Sequence, residues 1–401
     1  MSRTSAPQTP RDEPGQGTGR PALRRGPGRH VLLALAVVLT MVGAGCGSRP
    51  ETGFLTPVAN IAPDATRHTI LVATTRKRDD RPGTLFGGER GKPLDYAKLE
   101  VSVPKDHKPG DVEWASTPPG NPATDFVVSQ ASYLDGEKDF VRSLNAQLAT
   151  RKPGNRKVLV FIHGYNTMFA EGLYRFAQIV HDSHSPAVPV LFTWASRGQL
   201  SQYVYDNNSA TAARDELERT LRLIFASNVD QVNILAHSMG NWVTVEALRQ
   251  IRISDRLPDI RKLGSIVLAA PDIDVDVFKS QMRRFGKPRK PFYVVLSQDD
   301  QALRASRFIA GGQERLGAGT NTAELTELGA VVIDLTDVDA IDASNHAKFA
   351  QLAEIAPQLS SVLRRGISPT PARDALSNTV EAGIAVPLSI LGAPVRIITG
   401  R

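Results

Sequence analysis

Apolar residues recur along the centre of the chain in two alternating patterns. KVLVFIHG (157–164) is apolar at nearly every position, as expected of a strand covered on both faces. Residues 168–181 follow with Phe169, Leu173, Phe176, Ala177 and Val180 at helical spacing. VPVLFTW (188–194) is a second strand, and 206–226 a long helix with Leu217, Leu221 and Ile224 on its apolar side. QVNILAHS (231–238), LGSIVLAAPD (263–272), KPFYVVLSQDD (290–300) and GAVVIDLTD (329–337) read as further strands. NWVTVEALRQI (241–251) and QALRASRFI (301–309) read as helices, and 346–365 as a closing helix. Upstream, 68–75, 96–104 and 125–134 are strand-like, 137–149 is helical, and the charged, glycine-containing stretch 76–92 is expected to be an exposed loop. This alternation predicts an α/β fold: a mostly parallel central sheet with helices on both faces. Ligands of such sheets bind at the carboxyl ends of the strands.

The N-terminal region breaks the pattern. Residues 1–23 are rich in Pro and Gly and have little to bury. Arg24, Arg25 and Arg29 then precede the apolar run 31–42, which ends in VGAGC at Cys46. A basic stretch, about twelve apolar residues and then small residues form a secretory signal rather than a spanning helix, which needs about twenty. The arrangement resembles a bacterial lipoprotein signal. Ala44 and Gly45 fit that family's pattern, while Gly43 stands where Leu is usual. The resemblance implies cleavage before Cys46, lipid attachment to Cys46, and a place in the bacterial cell envelope, membrane-anchored and outside the cytoplasm; an uncleaved N-terminal membrane anchor, cleavage at another site, and a chance signal are the alternatives. The expected organisation is therefore 1–45 signal peptide and disordered lead, 46–66 tether, 67–365 α/β domain, and 366–401 an apolar tail interrupted by Pro387 and Pro394.

Composition sharpens this division. With 401 residues, 41% of them hydrophobic, the chain can bury a full α/β core. Its single cysteine excludes an intrachain disulfide and any cysteine-rich metal cluster. The formal charge of +7 suggests an acidic partner at first sight. However, residues 1–45 carry six arginines against Asp12 and Glu13, so only +3 belongs to the remainder. Nucleic acid is not an expected partner, because no interleaved basic and aromatic stripe accompanies that charge.

Four places at predicted strand ends carry chemistry. AHSMG (236–240) follows a strand and opens a helix, with small residues two places either side of Ser238. That is the requirement of a tight strand–turn–helix elbow presenting a nucleophilic serine. A serine nucleophile needs a base and an orienting acid, in the chain order Ser, Asp/Glu, His for this kind of fold. His346 is the only histidine after Ser238, so it is the expected base. The acid is open among Asp300, Asp299, Asp272 and Asp274, all at strand ends. HGYN (163–166) is the fourth place. With Met239, the Gly164 or Tyr165 amide would form an oxyanion hole. His163 and His237 are expected to order these turns rather than to act as base. No metal and no organic cofactor is required by this chemistry. Trp194, Tyr203 and Tyr205 are candidates to line an acyl pocket, and 195–207 an active-site rim.

Taken together, VFIHGYN (160–166), FTWASRG (192–198), NILAHSMG (233–240), VLAAPDID (267–274), SQDDQAL (297–303), RLG (315–317) and the His346 region resemble the α/β-hydrolase superfamily. More narrowly, they are similar to a bacterial family of uncharacterised esterase- and lipase-like hydrolases. The resemblance covers roughly residues 68–362. It implies Asp300 as the acid, because the family's S-x-x-D-x-A-L motif aligns its aspartate there. The family's usual Gly-His or Ser-His is Asn345–His346 here. The implied activity is serine-dependent cleavage of carboxylic esters, on a small-molecule or lipid ester substrate. An amidase or thioesterase using the same triad, and a non-catalytic surface lipoprotein, are the alternatives.

Overall fold

A computed structural model describes residues 49–254, 260–286, 288–319, 322–340, 342–351, 386–390 and 393–399. The described residues from Pro50 onward belong to one compact unit. The signal peptide and Cys46 lie outside the described residues. Among the described residues, no helix is long and apolar enough to cross a membrane.

Among the described residues, eleven strands make one sheet in the order β10-β11-β9-β8-β7-β6-β4-β5-β1-β2-β3. They are β1 (Thr66–Asp79), β2 (Leu85–Val103), β3 (Val127–Leu134), β4 (Lys157–Ile162), β5 (Val188–Thr193), β6 (Gln231–His237), β7 (Leu263–Ala269), β8 (Phe292–Leu296), β9 (Ala330–Asp334), β10 (Val386–Ile390) and β11 (Ala393–Thr399). From β1 through β9 all neighbours in the centre are parallel. Antiparallel strands finish both ends, β2 and β3 on one side and β11 and β10 on the other. Helices α1 (Gly136–Ala149), α2 (Phe169–Asp182), α3 (Tyr203–Ala226), α4 (Met239–Ile253), α5 (Val275–Phe285), α6 (Gln301–Ile309) and α7 (Thr322–Glu327) join them.

The period of two in the strands sorts side chains between two cores. Val158, Val160 and Ile162 of β4 point to the face covered by α1, α3, α4 and α5. Leu159 and Phe161 point to the other, where α2 packs with Leu55, Val338 and Phe349. Both faces are therefore apolar, which is why β4 reads as an uninterrupted apolar run.

Three expectations change. The charged stretch 76–92 is mostly strand, because β1 and β2 extend as a paired ribbon with Arg76 opposite Arg90 and Arg78 opposite Phe86. Its charges suggested solvent, yet Arg76 is fully buried. The supposed tether 46–66 is held to the domain over part of its length. Phe54 and Leu55 are buried, Gly53 N and Leu55 N donate to Pro82 O and Gly83 O, and the Tyr174 hydroxyl donates to Phe54 O at 2.6 Å. The described part of the tail joins the sheet, β11 pairing with β9 and β10 with β11. Pro387 sits in the outermost strand, where a missing N–H is tolerated. Of the predicted closing helix only the 3-10 turn Lys348–Gln351 is described, and the rest lies outside the described residues. The helix α5 was not foreseen; Asp274 caps it by accepting from Asp276 N and Val277 N.

Leu55→Ala tests the reassigned segment. A buried leucine truncation should cost about 2–5 kcal/mol, read from the midpoint of chemical denaturation. A free tether would lose nothing.

Candidate active site

Ser238 stands between β6 and α4 with φ 51° and ψ −124°. A positive φ is strained for serine, at roughly 1–3 kcal/mol, and persists only where neighbours over-determine it. Here Ser238 N donates to Ala269 O at 3.0 Å, and Asn241 Nδ2 donates to both Ser238 O and Ala269 O. Space is as restrictive as the hydrogen bonds. A Cβ on Gly240 would lie 2.4 Å from His163 O, so α4 can start there only with glycine. A Cβ on Gly164 would lie 2.7 Å from Ser238 Cβ, so the loop after β4 comes directly against the serine. Met239 opens α4 and Gly164 abuts the elbow, which puts both beside Ser238.

His346 reaches this elbow from the loop after β9, three strands along the sheet from β6. Its ring lies 4.7 Å from that of His237, centroid to centroid, and His237 Nε2 donates to His346 O at 3.4 Å. His346 Nδ1 meets Asp300 Oδ2 at 2.7 Å, and Asp300 is wholly buried. Burial alone would lower the His346 pKa, but the hydrogen bond and charge of Asp300 outweigh it and hold the pKa above the ordinary histidine value. His346 lies in the loop before the 3-10 turn rather than on a helix, held by Asp342, which accepts from the amides of His346 and Ala347.

The four acid candidates separate cleanly. Asp300 alone meets His346, and its other oxygen accepts from Leu303 N to cap α6. Asp299 binds Lys348 Nζ at 2.9 Å and Asn345 Nδ2 at 2.8 Å. Burial tends to raise the Asp299 pKa, yet hydrogen bonds from Ser297 and Lys348 bring it below the usual carboxylate value. Asp272 pairs with Arg315 and accepts from the Ser306 hydroxyl, and Asp274 is the α5 cap. Lys348 also donates to Leu335 O and Thr336 O, so it fastens the His346 loop to the strand ends beneath.

His163 and His237 both order turns. His163 Nδ1 faces Gly164 O at 2.8 Å; a carbonyl only accepts, so Nδ1 carries the proton and Nε2 accepts from Thr193 Oγ1. Burial, aided by the charge of Arg76, depresses the His163 pKa to about 3. Burial and then the neighbouring His346 depress that of His237 as well. Trp194 is not a pocket residue: it is buried, stacks on His163 and donates Nε1–H to His163 O. Tyr203 bridges Asp272 and Ser306, and Tyr205 turns toward the β1–β2 ribbon, donating to Gly88 O under the Arg197 guanidinium. The Tyr165 hydroxyl donates to Leu200 O, tying the HGYN loop to the 195–207 rim.

Two residues escaped the sequence reading. Arg76 donates Nε to Thr193 Oγ1 and its terminal nitrogens to Gly87 O, Ser196 O and Thr167 O, at 2.7–2.9 Å. Burial lowers its pKa to about 10, against the raising effect of Asp206 and Glu171. Asp206, also fully buried, accepts from Asn166 N, Ser196 Oγ and Arg197 N. Together they brace the loop that carries Gly164. The signal available was a lone arginine after the apolar run of β1, hidden among exposed charges. Among the described residues, no group of three or more His, Cys, Asp or Glu side chains is disposed to hold a metal ion.

The family model for alpha/beta hydrolases of unknown function (DUF900) matches residues 137–364, more than half of the chain. The chain belongs to this family. The match includes the elbow, the HGYN loop, Asp300 and His346. Solved structures overlap with this α/β hydrolase more loosely. Esterase B from Lactobacillus rhamnosis is 9% identical over 87% of this chain and 98% of its own, with a TM-score of 0.37. A Pyrococcus furiosus esterase is 8% identical over 78% and 100%, with a TM-score of 0.30. Lipase B from Aspergillus fumigatus is 13% identical over 41% of this chain, which spans 43% of the lipase, with a TM-score of 0.27. Overlap at this level says nothing about activity. No curated protein matches the chain.

Arg76→Met should cost at least about 2 kcal/mol in denaturation experiments, because it leaves Thr193 Oγ1 and the carbonyls of Gly87, Ser196 and Thr167 without their donor. A loss below about 1 kcal/mol, the usual worth of a surface ion pair, would show the network to be peripheral.

Proposed function

We propose that this hydrolase cleaves carboxylic esters through an acyl-enzyme on Ser238. The carrying observation is the 2.7 Å contact of His346 Nδ1 with buried Asp300, at the strained Ser238 elbow. With its Nδ1 proton donated to Asp300, His346 keeps Nε2 as the basic nitrogen. In this reading Nε2 takes the Ser238 hydroxyl proton as Oγ attacks the ester carbonyl. The Met239 amide and that of Gly164 or Tyr165 receive the developing oxyanion. Collapse breaks the bond to the alcohol, which leaves with the proton from His346. Water then gives its proton to His346, attacks the acyl carbon and releases the acid with Ser238 restored. Asp300 holds the ring and stabilises its charged form throughout. The second half of the proposal concerns place: the 24–46 sequence supports a lipid on Cys46 and an anchored position in the bacterial cell envelope.

A fluorophosphonate probe should label the wild type and not Ser238→Ala, and Ser238→Ala should lose at least about a thousandfold in kcat. Equal labelling of both proteins would sink the proposal. A series of acyl esters of rising chain length, run on both proteins, would define the acyl preference.

The base must be neutral to act, so kcat/KM should rise with pH through an apparent pKa above the ordinary histidine value. Asp300→Asn removes the group that raises it. The acid limb should then move to lower pH while kcat falls by about a hundredfold to ten-thousandfold. An unmoved limb would show that Asp300 does not govern His346.

A further inference from the structure

The most exposed large apolar side chains are not scattered. Phe308 is 86% exposed, Leu200 69%, Val204 68% and Ile309 56%, whereas the next among the described residues, Tyr133, is 42% exposed. All four belong to two segments at the carboxyl edge of the sheet. Leu200 and Val204 lie on the rim after β5, and Phe308 and Ile309 end α6. The two segments are joined, since the Tyr203 hydroxyl meets Ser306 Oγ at 2.9 Å. Both also reach the candidate site. Leu200 O accepts from Tyr165, and Asp272, which binds Tyr203 and Ser306, donates its amide to Ser238 O.

The two segments themselves carry only basic charge, of which Arg197 is paired with Glu89 of β2. Residues 301–312 contain Arg304 and Arg307 and no acid, and 197–205 contain Arg197 and no acid. Arg304 and Arg307 are exposed and donate to the carbonyls of Gln298 and Gly312, so each keeps its full charge beside Phe308. Bulky apolar groups interleaved with arginine suit the headgroup–acyl boundary of an anionic bilayer. The covalent chain agrees with this. Pro50 lines a cavity of about 190 Å³ with Arg76, Gly83, Met168 and Ser196, at the same edge of the sheet. Cys46 is four residues before Pro50, at most about 14 Å of extended chain. A lipid on Cys46 would therefore keep Pro50 within that reach of the membrane.

We propose that Leu200, Val204, Phe308 and Ile309, flanked by Arg304 and Arg307, dock on an anionic lipid surface, so that the site draws its ester from lipid. The choice of a lipid ester rests on the hydrolase function proposed above; the docking does not. Cys46→Ser removes the only cysteine, so single labels can be placed on the full chain. An environment-sensitive fluorophore at Phe308→Cys should shift to the blue on phosphatidylglycerol–phosphatidylcholine vesicles and be quenched by nitroxide lipids. The same label at Lys152→Cys, exposed at the amino edge before β4, should do neither. An aqueous signal from position 308, or equal shifts at both positions, overturns the docking.

A second arm reads activity. Changing Phe308 and Ile309, at the far end of α6, together to Ser should leave hydrolysis of a water-soluble butyrate ester unchanged. Hydrolysis of a vesicle-borne diacylglycerol should fall at least about tenfold as apolar anchoring is lost. An equal effect on both substrates, or none on either, overturns the lipid-ester assignment. If Ser238→Ala hydrolyses both like the wild type, the hydrolase function falls and the label at position 308 still decides the docking.

Discussion

The carboxyl edge of this sheet is organised around one backbone conformation, that of Ser238. A positive φ at a serine is unfavourable on its own and has to be imposed from outside. The neighbouring strand β7 imposes it through Ala269 O, and Asn241 locks the turn from the helix side. The same conformation sets the spacing of everything nearby. The helix α4 must begin against the end of β4, and the HGYN loop must pass within contact of Ser238 Cβ. Both approaches use up the volume a side chain would need, so sterics rather than attraction fixes where Ser238, Met239 and Gly164 meet.

Electrostatics keeps that arrangement rigid from behind. Arg76 is a buried cation whose donors are spent on loop carbonyls and one hydroxyl, and Asp206 is a buried anion whose acceptors are spent on loop amides and one hydroxyl. Neither group can move without leaving its own buried hydrogen-bond partners unsatisfied in low dielectric. On the opposite side Lys348 and Asp299 do the same for the His346 loop. The site is thus held between two charge networks, one buried under the HGYN loop and one half-buried under the histidine.

Much of this was visible in the residues. The alternating apolar segments predicted the parallel sheet with helices on both faces, because period and burial follow directly from strand and helix geometry. AHSMG located the elbow, and chain order alone selected His346. Periodicity could not separate Asp300 from Asp299, since adjacent residues share a strand end and differ only in where the turn aims them. Arg76 was misread for a related reason: in RKRDD it looks like its exposed neighbours, and only the long pairing of β1 with β2 carries it inside. Phe54 and Leu55 were lost among Pro and Gly because a two-residue anchor has no period to detect.

The sheet order also constrains the course of folding. Strands β1, β2 and β3 form a local antiparallel meander, but the parallel partner of β1 is β5, with Thr74 bonded to Thr193 across 119 residues. As the chain is synthesised, the meander can close early while one side of β1 stays unpaired until β4 and β5 have been made. An apolar strand edge left open for that interval is a template for pairing with another chain. The charged ribbon beyond Thr74 accompanies β1 throughout it, and its arginines and aspartates would keep that edge from joining a second copy before β5 arrives.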